Sequence, residues 1–251
     1  MNAMRRELHA LAAAVMFFTR LPVPAGWGAA RDDLQRSAAY FPLVGALVGG
    51  VAAAVWWLAG QLWPPAIASG LSLAATLLLT GAMHEDGFAD VCDGFGGGYT
   101  KERVLEIMRD SRVGAFGAMG VTMMLGLKGM AVAALPPGLA PAAIVAGHVL
   151  GRATAASLMA TLAYVREEAA KAKPLATELR GGRLMLVIAT ALAAAACLPL
   201  RFGWILVALV IVRAVLARWF ARRIGGYTGD CLGAAQQVSE LAVYLTVLAL
   251  A

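Results

Sequence analysis

The chain has 251 residues, is 61% hydrophobic and only 14% charged, and carries a formal charge of +6. Soluble domains run to about 45–50% apolar and about 25% charged residues, so a soluble globular domain is excluded, and the length divides instead into bilayer crossings of roughly 20 apolar residues each. The basic residues are scattered between apolar runs without aromatic interleaving or a recognition motif, which argues against nucleic acid as a partner, and Cys92, Cys197 and Cys231 lie too far apart for a CxxC pair, so neither a disulfide framework nor a zinc site is indicated.

In chain order, Arg5 and Arg6 precede a short apolar run, Leu8 to Phe18, that mimics a signal peptide. Arg20 and the Pro22-Val23-Pro24 turn follow it in place of a small-residue cleavage site, so an uncleaved interfacial helix is expected within an N-terminal segment, 1–36. Apolar stretches then run over 38–59, 66–83, 113–135, 139–162, 184–200, 203–217 and 231–251. They predict helices, because lipid cannot satisfy the backbone of an open sheet. The expected fold is all-α: a polytopic transmembrane helix bundle of about seven spans in one domain, 1–251.

Lys and Arg set the orientation. Five lie before residue 37, four between Lys101 and Arg112, five between Arg166 and Arg183, and Arg218, Arg222 and Arg223 follow, which puts 17 of 21 on one side. By the positive-inside rule that side is cytoplasmic, with lipid as the surrounding partner and a bacterial inner membrane as the location. Lys128, Arg152 and Arg213 remain inside apolar runs. Arg213 is expected to snorkel, Lys128 is open, and Arg152, four residues after His148, is expected to face the interior.

The chemistry is expected in a cytoplasmic acidic segment, 84–112. Glu85, Asp86, Asp90 and Asp93 fall within nine residues directly after the second apolar stretch. If that helix continues, Asp86, Asp90 and Asp93 share a face at i, i+4 and i+7, with Glu85 roughly 100° away. Like charges stacked so need a counterion, and a hard cation, Mg²⁺ with Mn²⁺ as the alternative, takes carboxylate oxygens and also bridges phosphates. A solvated acidic loop is the plainer alternative, but such a loop need not space its acids helically or flank them with Gly87 and Gly94. Asp110 is a further candidate ligand, Arg112 a candidate phosphate clamp, and Arg20 and Arg152 further phosphate contacts. His84 is a candidate base, although a His at a helix end is more often a surface residue. Asp230, where the last stretch begins, is either a helix cap or a substrate contact. Gln236, Gln237 and Glu240 make that helix polar enough to line a cavity.

The run Glu85-Asp86-Gly87-Phe88-Ala89-Asp90-x-x-Asp93-Gly94, followed by Glu106-Ile107-Met108-Arg109-Asp110-Ser111-Arg112-Val113-Gly114-x-Phe116-Gly117, resembles the cobalamin synthase family, the adenosylcobinamide-GDP ribazoletransferases. Phe18 to Pro24, Tyr40 to Gly45 and Thr228-Gly229-Asp230-x-x-Gly233-Ala234 agree with it, so the resemblance spans the whole chain. It implies a Mg²⁺-dependent transferase of late cobalamin biosynthesis that joins adenosylcobinamide-GDP to α-ribazole or its 5′-phosphate and releases GMP. Asp90 and Asp93 would be catalytic, with Glu85, Asp86 and Asp110 among the metal ligands. Self-association is left open.

Asp90-x-x-Asp93-Gly94 also opens the D-x-x-D-G-x-x-A-R motif of CDP-alcohol phosphotransferases, but Gly97 and Gly98 stand where Ala and Arg are wanted. That enzyme class, a prenyltransferase, a cation transporter and a membrane scaffold are the competing readings.

Overall fold

In the computed structural model, which describes residues 3–166, 179–199 and 203–251, the chain is a bundle of α-helices. Helix α1 (Ala3–Phe18) lies against α2 (Arg31–Arg36) and the 3-10 turn Ser37–Tyr40, which leads into α3 (Phe41–Ala59). There follow α4 (Pro65–Thr80), α5 (Met83–Gly97), α6 (Lys101–Ile107), α7 (Ala115–Ala134), α8 (Ala140–Met159), α9 (Gly182–Ala196), α10 (Trp204–Ile224) and α11 (Gly229–Leu250). Proline in the first turn starts α3, α4 and α8, where its missing N–H leaves no bond unmade. Thr100 and Thr228 cap α6 and α11 by accepting from the backbone N–H three residues on.

Every predicted apolar stretch carries a helix, but they differ in reach. Five helical runs are long and apolar enough to cross a bilayer: Arg31–Ala59, which includes α3, then α7, α8, α10 and α11. Helix α4 has 16 residues and α9 has 15, short of the roughly 20 that a perpendicular crossing needs. The expected straight continuation of the second span into the acidic segment is not seen. Gly81 and Ala82 both take left-handed backbone angles, ending α4, and α5 departs at 91°. Helix α5, with four carboxylates in its 15 residues, packs against α7 and α11.

Close helix packing comes from small residues, as expected where lipid offers no hydrophobic drive. Gly45 and Gly49 of α3 sit against the α8 backbone at His148 and Val145, and Gly147 and Gly151 of α8 sit against Tyr244 and Gln236 of α11. Large apolar side chains such as Trp57, Met123, Met130, Val210 and Ile211 point outward, the inside-out polarity of a membrane protein.

The polar residues inside the spans find one another. Lys128, 1% exposed, pairs with Glu240, also 1% exposed, at 2.7 Å, and donates to Gln237 at 3.1 Å. Tyr244 donates to Glu240 at 3.0 Å, and His148 lies between Glu240 (3.4 Å) and Arg152 (3.3 Å). Arg152 thus faces the interior as expected, and Lys128 does too. Arg213 does not snorkel freely: it donates to Ser157 Oγ at 2.8 Å and Thr161 Oγ1 at 2.7 Å, tying α10 to α8.

Candidate active site at the α5–α11 crossing

Two glycines set the geometry. A Cβ on Gly87 would stand 2.9 Å from Asp230 Cα, and one on Gly233 would stand 3.1 Å from the His84 carbonyl, so α5 and α11 cross nearly backbone to backbone. Asp86 and Asp90 of α5 therefore meet Asp230, the second residue of α11. Burial and the neighbouring charges of Asp230 and Asp86 push the Asp90 carboxyl up to about 7, against a weaker opposing pull from Arg166. Helix α5 is held in place at its far end by Arg223, which donates to the carbonyls of Phe95 (2.8 Å) and Gly98 (2.6 Å).

Arg166 was not singled out in the sequence. It reaches the site because Val165 N–H donates to Tyr227 O at 3.0 Å and Tyr227 N–H donates to Ala163 O at 2.9 Å, laying 163–165 beside the start of α11. From there its guanidinium bonds Asp230 at 2.6 Å and the Met108 carbonyl at 3.1 Å. Nothing in its sequence neighbourhood distinguishes it from the other bases of the same connection.

The five acids expected to hold metal do not come together as one group. Asp86 and Asp90 do meet, with Asp230 as their third member. Glu85 turns into the bundle and accepts from Gln237 at 2.8 Å. Asp93 faces α7, where its two oxygens accept from Gly114 N–H (2.7 Å) and Gly117 N–H (2.8 Å), capping that helix. A side chain at Gly114 or Gly117 would collide with that carboxylate, which accounts for both glycines of the Gly114-x-Phe116-Gly117 run. Asp110 lies at an exposed turn and is paired with its neighbour Arg112 at 2.6 Å, which holds the Asp110 carboxyl down to about 2. Asp230 does not cap α11, since Thr228 accepts from Cys231 N–H instead.

Among the described residues no three Asp, Glu, His or Cys side chains converge on a point that one metal ion could occupy. The arrangement suits Mg²⁺ nonetheless, because that ion keeps several waters and binds through one or two carboxylates plus substrate phosphates.

Beside the acids opens a cavity of about 200 Å³. Asp86 and Asp230 line it together with His84, Arg152 and an aromatic wall from Phe17, Phe18, Phe41, Tyr164 and Tyr227. His84 is not a surface residue: it is 4% exposed and stacked beneath Phe18, ring centroids 5.3 Å apart. Arg152, 2% exposed, lies 5.7 Å from the Phe18 ring centre. Arg20 remains exposed, its N–H bonded to Leu79 O at 2.8 Å and its guanidinium lying over Gly81 at the α4–α5 elbow.

The family model described as cobalamin-5-phosphate synthase matches residues 10–248. The chain belongs to the cobalamin-5-phosphate synthase family. Its relatives include the adenosylcobinamide-GDP ribazoletransferases of Ralstonia pickettii, 49% identical over 99% of this chain and 98% of the relative, and of Shewanella amazonensis, 45% identical over 100% and 98%. That of Vibrio cholerae is 42% identical over 98% of this chain and 95% of its own. No solved structure matches the chain. The family explains why the motifs read in the sequence converge in space: the acidic run, the Thr228 to Ala234 stretch and Phe18 all border one cavity.

Proposed function

We propose that this chain is an adenosylcobinamide-GDP ribazoletransferase, joining adenosylcobinamide-GDP to α-ribazole or its 5′-phosphate and releasing GMP at the cytoplasmic face of a bacterial inner membrane. The observation that carries the reading is the meeting of Asp90 with Asp86 and Asp230, the two acids that line a cavity, in a chain similar end to end to enzymes of that name. The side of the membrane follows from the distribution of Lys and Arg.

Transfer between phosphate esters needs positioning and charge neutralisation more than covalent help from protein. A ribazole hydroxyl, the 3′ one by family resemblance, attacks the phosphorus that carries the cobinamide. A P–O bond forms, the bond to the bridging oxygen of the pyrophosphate breaks, and GMP departs with the electron pair. Whichever carboxylate of the Asp86, Asp90 and Asp230 group does not hold the metal is placed to accept the hydroxyl proton. His84 is less suited, because its Nε2 is buried without a partner to take a proton onward. Asp86 and Asp90 would hold Mg²⁺, which when bound neutralises the pyrophosphate and the leaving GMP. Among the described residues, Arg166, Arg20 and Arg112 are cations that phosphate could engage at this end of the bundle, while Arg152 is assigned below.

The test is GMP release by the purified protein in detergent, supplied with both substrates, before and after chelation. Activity should vanish with chelator and return with Mg²⁺. Undiminished activity in chelator would remove the metal from the account, and absence of GMP with every divalent ion would remove the reaction.

A further inference from the structure

The cavity beside the acids has features that the phosphate chemistry does not use. Its depth is aromatic: Phe18 lies parallel to His84 at an interplanar angle of 8°, Phe41 meets Phe18 edge-on at 4.4 Å, and the Tyr164–Tyr227 pair forms another wall. Two buried nitrogens that border it, His84 Nε2 and Arg152 Nε, have no hydrogen-bond partner. A buried polar atom left unpaired costs about 1–3 kcal/mol, so these atoms mark a place where a ligand completes the bonding. Asp86 and Asp230 stand at the same cavity, which ties it to the phosphate site.

These features select among the parts of the two substrates. A corrin macrocycle is too large for about 200 Å³. Guanine needs acceptors for its amide and amino edge, and the carboxylates of this cavity, Asp86 and Asp230, are those already assigned to the phosphate end. A flat, fused heteroaromatic ring of low polarity, with a single ring nitrogen free to accept, matches both the walls and the donor Arg152 Nε–H.

We propose that this cavity is the slot for the benzimidazole base of the ribazole nucleoside, stacked along Phe18 and His84 with its free ring nitrogen accepting from Arg152. The proposal rests on the transferase reading and deepens it, since a base seated there directs its ribose toward Asp86, Asp90 and Asp230. Arg152 then serves as a base-recognition residue and not as a phosphate contact.

The experiment has one arm on the wild-type protein and one on variants. In the first, free 5,6-dimethylbenzimidazole and guanosine are added to the GMP-release assay with purified full-length protein. Benzimidazole should inhibit competitively against ribazole and not against adenosylcobinamide-GDP, and guanosine should show the reverse. In the second, Ala155→Leu, which builds into the cavity, and Arg152→Lys, which removes the Nε–H and keeps the charge, should each raise KM for ribazole at least tenfold. Each should move KM for adenosylcobinamide-GDP by less than twofold. Guanosine competing with ribazole, or either variant raising KM only for the corrinoid nucleotide, would overturn the slot and leave the transferase standing. A wild-type protein that binds dimethylbenzimidazole saturably by equilibrium dialysis, loses that binding in Ala155→Leu, and yet releases no GMP would overturn the transferase and leave the slot. Absence of saturable binding in wild type overturns the slot directly.

Discussion

Asp90 and Asp93 sit three residues apart on one helix and do opposite things to stability. Asp90 is held among Asp86 and Asp230 with its carboxyl raised to about 7, so folding favours its protonated form. A raised folded-state value contributes stability that is present below the unfolded carboxylate range, about 3.9, and is lost as pH climbs through about 7. Asp90→Asn, neutral at all pH, is therefore expected to raise the melting temperature in metal-free buffer, more at pH 8 than at pH 5, while turnover falls at least a hundredfold. Asp93→Asn has the opposite sign. It weakens two charge-assisted cap bonds to Gly114 and Gly117, a loss of about 1–2 kcal/mol for a helix cap, read as a lower melting temperature. Asp110→Asn, at an exposed turn facing its own Arg112, should leave turnover within about threefold, which a steady-state assay checks. The sequence alone could not separate these carboxylates. Their spacing showed a shared helix, but the partners of Asp93 and Glu85 lie 24 and 152 residues away, in α7 and α11.

At the scale of elements, the α5–α11 crossing decides whether a site exists. Gly87→Ala puts a methyl 2.9 Å from the Asp230 backbone, so the helices must separate. Overpacking of this kind costs about 1–3 kcal/mol. The variant is expected to melt lower and to lose turnover by at least tenfold, whereas Gly50→Ala on α3, with open space around it, should change neither. Helix existence was legible throughout, because apolar runs of span length admit little else. The 91° elbow was not. Gly81 is a familiar helix stop, but Ala82 carries a positive φ that no local propensity announces, and without that second left-handed residue the acids read as the end of a straight helix. Arg166 was hidden for a similar reason, since only the backbone pairing of Val165 with Tyr227 brings it to Asp230.

Across the described residues, charged side chains of the spans such as Lys128, Glu240 and Arg213 find partners inside the bundle, and the proposed phosphate chemistry would lie at one end of it. Lys128 and Glu240 illustrate the first point. Removing one partner of a buried pair strands the other and costs about 3–5 kcal/mol, whereas removing both leaves no orphan charge. Lys128→Met should thus destabilise more than Lys128→Met combined with Glu240→Gln, measured by thermal aggregation in detergent. The Glu240→Gln change keeps an amide oxygen within reach of Tyr244 and His148, so the double variant does not orphan those two neighbours. The charge asymmetry of the sequence revealed this architecture in outline: a basic N-terminal segment and alternate connections on one side, apolar spans, and a polar α11. The pairing of Lys128 with Glu240, on α7 and α11, is a tertiary fact that no window of sequence contains.

The claim on which the account turns is that Asp90 is the acid at which transfer occurs. Formation of GMP and of the cobalamin product, measured side by side for wild-type and Asp90→Asn protein matched for folded fraction, addresses it directly. The account predicts equimolar products from wild type and at least a hundredfold less of both from Asp90→Asn; wild-type rates in the variant would contradict it.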